Sequence, residues 1–272
     1  MAGNDLTILR SYAKAAPESL PLSIRFQYSE KTTTVFDRYN KSIFHFLILP
    51  RILPGAELDP AALENLRSLL KADKNKAKRV IDSLAEEANK VKEKIEEEMI
   101  KVYGFKWDIW TGFHAQPSMA HLHLHVLSAD LVSEKLKHKK HYNSFRPDLG
   151  FFIHLDDVLS WFEATHSYFE DVVKQFKPSE YEAKLKEDLV CFRCYSEMKN
   201  IPTLKAHLQE EWNKLERTAR ASAKRKHEIE KRQASKSASQ SQESKATKTP
   251  APDVSERDTK RAKLQEETTE ST

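Results

Sequence analysis

His121, His123 and His125 alternate with Leu122, Leu124 and Val126, and the run ends on Leu127. Successive side chains on a strand point to opposite faces, so the pattern predicts a strand over residues 121–127 with three imidazoles on one side and the apolar residues buried on the other. A solvent face is ordinarily built from Thr, Lys, Glu or Ser. Three imidazoles, which titrate near neutral pH and ligate zinc, instead read as a reactive surface, with a metal site as the rival reading.

A second constellation lies downstream. Cys191-x2-Cys194 is followed after twelve residues by His207 and after three more by Glu211. A knuckle carrying two thiolates, then a helix presenting ligands at i and i+4, is the arrangement of a small zinc finger. Glu211 stands where a second histidine is usual, and a carboxylate is an accepted zinc ligand. Glu210 would lie off the i, i+4 face. The competing reading of CxxC as a redox pair requires neither His207 nor Glu211, so one structural zinc held by Cys191, Cys194, His207 and Glu211 is expected. Leu204 and Leu208 would supply the finger's core.

The elements that must position these groups are legible in coarse form. Residues 6–15 have helical spacing and stop before Pro17. Residues 23–28 and 32–36 read as strands joined by a hairpin loop at Ser29, Glu30 and Lys31, and residues 43–49 form a third strand ending at Pro50. From residue 60 to residue 103 apolar positions recur every three or four residues, predicting one long or two successive amphipathic helices closed by Gly104. Residues 107–112 and 121–127 supply the fourth and fifth strands. The aromatic and acidic segment 151–176 predicts a helix packed on the domain. Strands, a helical layer and further strands give an α+β class with an antiparallel sheet.

All Trp, Tyr, Phe and Cys residues fall in the first 215 or so positions. Beyond Arg217 the chain is Lys, Arg, Ser, Gln, Glu and Thr with few apolar residues, too few to offset the entropy of ordering. Residues 218–272 are therefore expected to be a mostly disordered tail, with helix continuing to about Gln233. The net charge of +4 argues nothing about nucleic acid by itself. Its distribution does: Lys135, Lys137, Lys139 and Lys140 follow the histidine run, Lys224 to Lys226 form a triplet, and Lys231, Arg232, Lys260, Arg261 and Lys263 punctuate the tail. Such clusters suit phosphate contacts or nuclear import. No signal-peptide or membrane-spanning run is present, so a soluble intracellular protein is expected.

Taken as one unit, His121-Leu122-His123-Leu124-His125-Val126-Leu127 resembles the histidine-triad superfamily of nucleotide hydrolases and transferases, whose motif it matches completely. The flanking segments Gly112-Phe113-His114-Ala115-Gln116-Pro117-Ser118-Met119 and Lys139-Lys140-His141-Tyr142-Asn143-Ser144-Phe145 are similar to the aprataxin branch, as is a triad domain followed by a zinc finger. Glu211 as fourth ligand resembles the short, fungal-type members. The resemblance covers about residues 5–215 and lacks the amino-terminal phosphopeptide-binding domain of animal aprataxins.

This resemblance implies a hydrolase acting on phosphoanhydride bonds, which removes AMP from 5′-adenylated DNA ends left by abortive ligation. His123 would be the nucleophile, His121 and His125 would orient it and stabilise phosphoryl charge, and His114 would move the proton. Asp37 would bind ribose hydroxyls, with a turn-stabilising aspartate as the plainer reading, and Lys41 and Ser118 would sit near the phosphates. His45 reads as a core histidine supporting the pocket. Lys140, His141 and Ser144 resemble DNA-phosphate contacts, and Leu6 lies where a wedge against the terminal base pair is expected. The implied organisation is an amino-terminal helix (1–20), catalytic domain (21–150), helical connector (151–186), zinc finger (187–217) and basic tail (218–272). The implied partner is nicked or broken duplex DNA, met by a nuclear monomer with the cytoplasm as a second compartment; AMP is the product, and GMP from guanylylated 3′ ends and RNA–DNA junctions are extensions of the same chemistry. No catalytic metal and no membrane are implied. Two other functions remain open: a small-nucleotide phosphoramidase or dinucleoside polyphosphate hydrolase, and a non-catalytic zinc-finger DNA-binding protein.

Overall fold

Long apolar stripes on helices and alternating strands must bury against one another, and in the computed structural model they do so around one antiparallel sheet; residues 6–246 are described. In chain order the elements are α1 (Ile8–Lys14), β1 (Arg25–Tyr28), β2 (Thr32–Phe36), β3 (His45–Pro50), α2 (Leu66–Leu70), α3 (Lys74–Tyr103), β4 (Ile109–His114), β5 (Leu124–Ser128), α4 (Lys139–Asn143), β6 (Phe152–His154), α5 (Leu155–Glu163), α6 (His166–Gln175) and α7 (Ile201–Ala246). The sheet order is β1-β2-β3-β5-β4-β6, every neighbouring pair being antiparallel. The α+β expectation therefore holds.

The helical stretch between β3 and β4 is two helices, because Asp73 interrupts it. The Asp73 side chain accepts from the Lys76 N–H and starts α3, and Gly104 ends that helix at φ 79°, in the left-handed region. Along α3 Ala77, Ile81, Leu84, Ala88, Val91, Ile95 and Met99 are buried at three- and four-residue spacing. They share a core with Phe46 and Ile48 of β3, Phe113 of β4 and Leu124 and Val126 of β5. Thus α3 covers one face of the sheet, and the odd-numbered residues of β5 are left for the other face.

Three sequence expectations need correction. The fifth strand begins at Leu124, not at residue 121, because His121 has a φ of 89° and its N–H bonds to the Glu64 carbonyl at 3.0 Å. The histidine face is also not open to solvent: His121, His123 and His125 are all buried. Finally, segment 151–176 is not one helix. It opens with β6, which pairs with β4, and then splits into α5 and α6 where the Thr165 side chain caps the second. A Cβ at Gly112 would come within 2.4 Å of the Ile153 carbonyl oxygen and 2.8 Å of the Phe152 ring, so glycine is what admits β6 at this point.

The chain divides into two units, Met1–Arg220 and Ala221–Thr272. Among the described residues the second unit is helix, and its residues 221–235 are exposed. Helix α7 is carried to Ala246, past the expected end near Gln233, on helix-favouring Ala, Lys, Arg, Glu and Gln. The Lys260, Arg261 and Lys263 cluster lies outside the described residues. No helix among those described is long and apolar enough to cross a membrane.

Candidate active site and zinc-binding cluster

The carbonyl of His121, at the break before β5, decides the chemistry of His123. Its Nδ1 lies 2.8 Å from the His121 carbonyl oxygen. A carbonyl can only accept, so the hydrogen sits on Nδ1 and the Nε2 lone pair is free. Burial pushes His123 below the usual imidazole range, which keeps that lone pair available. His121 itself turns away from the cluster: its Nε2 donates to the Pro50 carbonyl at 2.7 Å, and burial pushes it down to about 4.

His125 is the centre of the ring cluster. It pairs in register with Leu47 and Gly112, and its ring centroid lies 4.4 Å from His114, 4.9 Å from His123 and 5.3 Å from His45. The Lys41 N–H donates to His45 Nδ1 at 3.1 Å, so the His45 hydrogen is on Nε2. That nitrogen lies 3.0 Å from His125 Nδ1 and 3.4 Å from Asp37 Oδ2. Donation to His125 Nδ1 in turn leaves the His125 hydrogen on Nε2. Asp37, His45 and His125 thus converge closely enough for a metal, yet this hydrogen-bond chain accounts for their convergence without one.

His114, at the end of β4, has no hydrogen-bond partner on its buried Nε2, and the Ser144 backbone beside its ring favours the protonated form only weakly. Burial holds both His114 and His125 well below the usual imidazole range, and neighbouring histidines lower them further. Three buried imidazole nitrogens, His114 Nε2, His121 Nδ1 and His125 Nε2, lack a hydrogen-bond partner among the described residues. Buried polar atoms are normally paired, so the unpaired nitrogens of His114 and His125, whose rings adjoin each other beside His123 and its free lone pair, mark a ligand site.

Of the other expected residues, Asp37 and Lys41 join this cluster through His45, while Ser118 and Leu6 line a separate cavity. Asp37 follows β2, where its Oδ1 accepts from the Tyr39 N–H at 2.7 Å; the turn role is therefore real and occupies only part of the carboxylate. Lys41 is buried, its ammonium bonded to the Tyr39 carbonyl and its pKa lowered by burial. Ser118 and Leu6 line one cavity of about 240 Å³ with Asn65 and Met119, and the Leu6 carbonyl accepts from Ala120 N–H at 2.8 Å. Lys140 is exposed on α4. His141 is half-buried and pushed down to about 4 by burial, and the Ser144 hydroxyl turns back to the His141 carbonyl at 3.2 Å. Sequence reasoning passes over Phe145, whose ring packs on His45, His114 and His125. Its only signal is an aromatic one helical turn beyond Tyr142.

Ligand atoms of Cys191, Cys194 and His207 lie within 4.8 Å of one another, with Cys194 Sγ 3.2 Å from His207 Nε2. Hydrogen bonds from Ser196 bring the Cys194 thiol down to about 7. Two sulfurs and an imidazole at this spacing suit zinc as a donor set. Glu211 stands one turn along α7, outside that group, its Oε1 2.7 Å from Lys214 Nζ.

Residues 11–141 match the family described as scavenger mRNA decapping enzyme C-term binding, and residues 148–214 match C2HE / C2H2 / C2HC zinc-binding finger. The aprataxin-like protein of Drosophila melanogaster is 32% identical over 193 residues, 71% of this chain and 24% of that protein. The chain spans half or less of the length of the animal aprataxins it matches. Among solved structures, the aprataxin ortholog Hnt3 in complex with DNA superposes with a TM-score of 0.58 at 26% identity, covering 79% of this chain and 98% of that one. Hnt3 in complex with DNA and guanosine gives 0.54 at 28% identity, covering 77% and 96%. The aprataxin-like protein of Saccharomyces cerevisiae is 30% identical over 220 residues, 75% of this chain and 94% of the relative. A relative matched so nearly from end to end places the chain in the aprataxin family.

Proposed function

We propose that the chain is a hydrolase that removes AMP from 5′-adenylated DNA ends by way of a covalent AMP–histidine intermediate on His123. The observation that carries this reading is the committed tautomer of His123, with Nδ1–H given to the His121 carbonyl and Nε2 free to attack. Nε2 bonds to the adenylate phosphorus while the phosphoanhydride bond to the DNA phosphate breaks, and a hard displacement becomes two easier ones. His125 Nε2–H and Lys41 stabilise charge on the phosphoryl oxygens in a site where fixed donors replace water. His121 orients His123 through its carbonyl. His114 gives a proton to the departing DNA phosphate, whose negative charge favours the imidazolium, and then takes one from the water that releases AMP.

In this reading Asp37 offers its remaining lone pairs to ribose hydroxyls and Ser118 lies near the phosphates. Lys140, His141 and Ser144 face the DNA backbone, and Leu6 meets the terminal base pair. Residues 21–150 form the catalytic domain, 151–186 the connector and 187–217 the finger, in a monomer that works on nicked or broken DNA in the nucleus. The DNA-bound Hnt3 relatives support duplex DNA as partner, and the guanosine complex supports guanylylated ends as a further substrate. The match to a decapping family over the triad keeps small-nucleotide hydrolysis as the second reading. Turnover decides between them: kcat/KM on an adenylated nick is expected to exceed that on a small AMP-amide by at least about a hundredfold, the worth of roughly 3 kcal/mol of added binding. Equal values would favour the small-nucleotide reading. Zero turnover on both, with no AMP–protein adduct on acid quench, would favour a non-catalytic DNA-binding protein.

One structural zinc is assigned to Cys191, Cys194 and His207, with Glu211 turning from Lys214 to complete the tetrahedron; no metal is assigned to the triad. Metal analysis of purified protein is expected to give one zinc per chain. Glu211→Ala is expected to weaken zinc retention against a chelator about tenfold or more while Glu210→Ala does not, and the reverse pattern would move the fourth ligand to Glu210.

A further inference from the structure

Residues 139–146, which run from α4 toward β6, present two faces at helical spacing. One face grips the approach to the zinc-binding knuckle. The Tyr142 hydroxyl donates to the Val190 carbonyl at 2.8 Å and accepts from the Phe192 N–H at 2.9 Å, and these are the two residues flanking Cys191. Asn143 Nδ2 donates to the Glu187 carbonyl and Arg146 Nη1 to the Asp188 carbonyl, both at 2.7 Å.

The other face holds the imidazoles. The Phe145 ring centroid lies 4.6 Å from His114, 5.3 Å from His125 and 5.4 Å from His45, and the Ser144 backbone stands beside the His114 ring. Tyr142, Phe145, Cys191, Leu204 and Leu208 belong to one buried cluster with Leu127 of β5 and Phe152 of β6. The finger therefore shares its core with the reactive face of the sheet rather than sitting apart on a linker.

We propose that Tyr142 is a positioning residue through which the zinc-binding knuckle holds His114 in place, so that the finger serves proton transfer as well as DNA binding. This rests on reading His114 as the proton-transfer group. Tyr142 is fully buried, and its hydroxyl satisfies one donor and one acceptor of the main chain on either side of a metal ligand. Without that hydroxyl two half-buried main-chain groups lose their partner, and the knuckle and α4 shift to recover one. The shift is felt two residues on at the Ser144 contact and three residues on at Phe145. Proton transfer between fixed groups is sensitive to displacements of about 1 Å.

The test is Tyr142→Phe in the full-length, zinc-loaded protein. Zinc content and Kd for adenylated nicked DNA are expected to stay within about twofold, while kcat falls about tenfold both on that DNA and on a small AMP-amide that cannot reach the finger. Nitrogen NMR of the histidine rings is expected to show the His114 signals shifted and broadened as the ring loses its fixed place against Phe145, with His123 Nδ1–H unchanged. Weaker DNA binding with wild-type kcat and a wild-type His114 signal would overturn the proposal, because the finger would then serve binding alone. Should this variant not fold, Arg146→Lys, which removes the bond to the Asp188 carbonyl together with the paired bonds to Asp148, is read the same way beside Asp148→Asn, which loosens the Asp148 pair alone. The NMR readout needs no turnover, so a protein inactive on adenylated DNA would refute the functional reading and still leave this test decisive.

Discussion

Replacing His123 with alanine is expected to lower AMP release from an adenylated nick by on the order of 10⁴-fold or more, with Kd for that DNA within about twofold of wild type. The magnitude follows from what is lost. A missing donor or a misplaced base weakens one term of the barrier, whereas a missing nucleophile removes the pathway and leaves only direct attack by water in a site built around a side chain. Binding should survive, because Lys41, Lys140 and His141 and the finger are untouched. Acid quench during turnover should trap AMP on the wild-type protein through an acid-labile phosphoramidate bond, and alanine at 123 should trap none. Retained turnover in this variant would sink the mechanism, and trapping of AMP on the variant would move the nucleophile elsewhere. The His121 carbonyl sharpens the comparison: it fixes the orientation of the 123 ring in the wild type and is unchanged in the variant, so the difference reports the imidazole alone.

That carbonyl also marks the limit of what the chain discloses before folding. The run of histidines announces reactive imidazoles, and the spacing of Cys191, Cys194 and His207 announces a metal site, because side-chain type and interval are properties of sequence. Strand β2 has the expected bounds, and α3 follows directly from its apolar interval. The alternation that identifies the triad nevertheless starts the strand three residues too early. The left-handed φ of His121 cannot be inferred from a histidine, since it is imposed by bonds from residues 121 and 122 to the carbonyls of Glu64 and Leu63. Strand β6 was hidden for a related reason: three residues carry no period, and Phe152 and Ile153 run into the aromatic spacing of the helices that follow. His45 was readable as a support for the pocket, but its place in a chain from Lys41 to His125 depends on the pairing of β3 with β5. The Ser144 contact to His114 is main chain and leaves no mark in side-chain identity at all.

Folding stability is expected to drop by several kcal/mol between pH 7.5 and pH 5, measured by denaturant titration at constant ionic strength. His45 and His121 are both pushed down to about 4, first of all by burial, against an ordinary value of 6.5. In the unfolded chain they take up protons as the pH falls through 6.5, while in the folded protein they resist until about 4. Between those values the unfolded state binds more protons, so stability is fully present above pH 6.5 and is lost on acidification. Each such histidine contributes a slope of up to about 1.4 kcal/mol per pH unit. His114, His123 and His125 are displaced in the same direction, again chiefly by burial, and steepen the fall. His141 on α4 is pushed down to about 4 as well, and Asp130, whose carboxyl burial raises, opposes the fall as one group against six. Against a total stability of about 5–15 kcal/mol, cooperative acid unfolding should therefore set in well above the range where carboxylates protonate. A stability that stayed flat to pH 5 and fell only near pH 4 would show that the buried imidazoles are not held neutral. The same burial that exposes the fold to acid keeps the His123 lone pair available, so kcat/KM should hold its neutral-pH value below 6.5 while stability declines, and fall only where the unfolded fraction becomes appreciable.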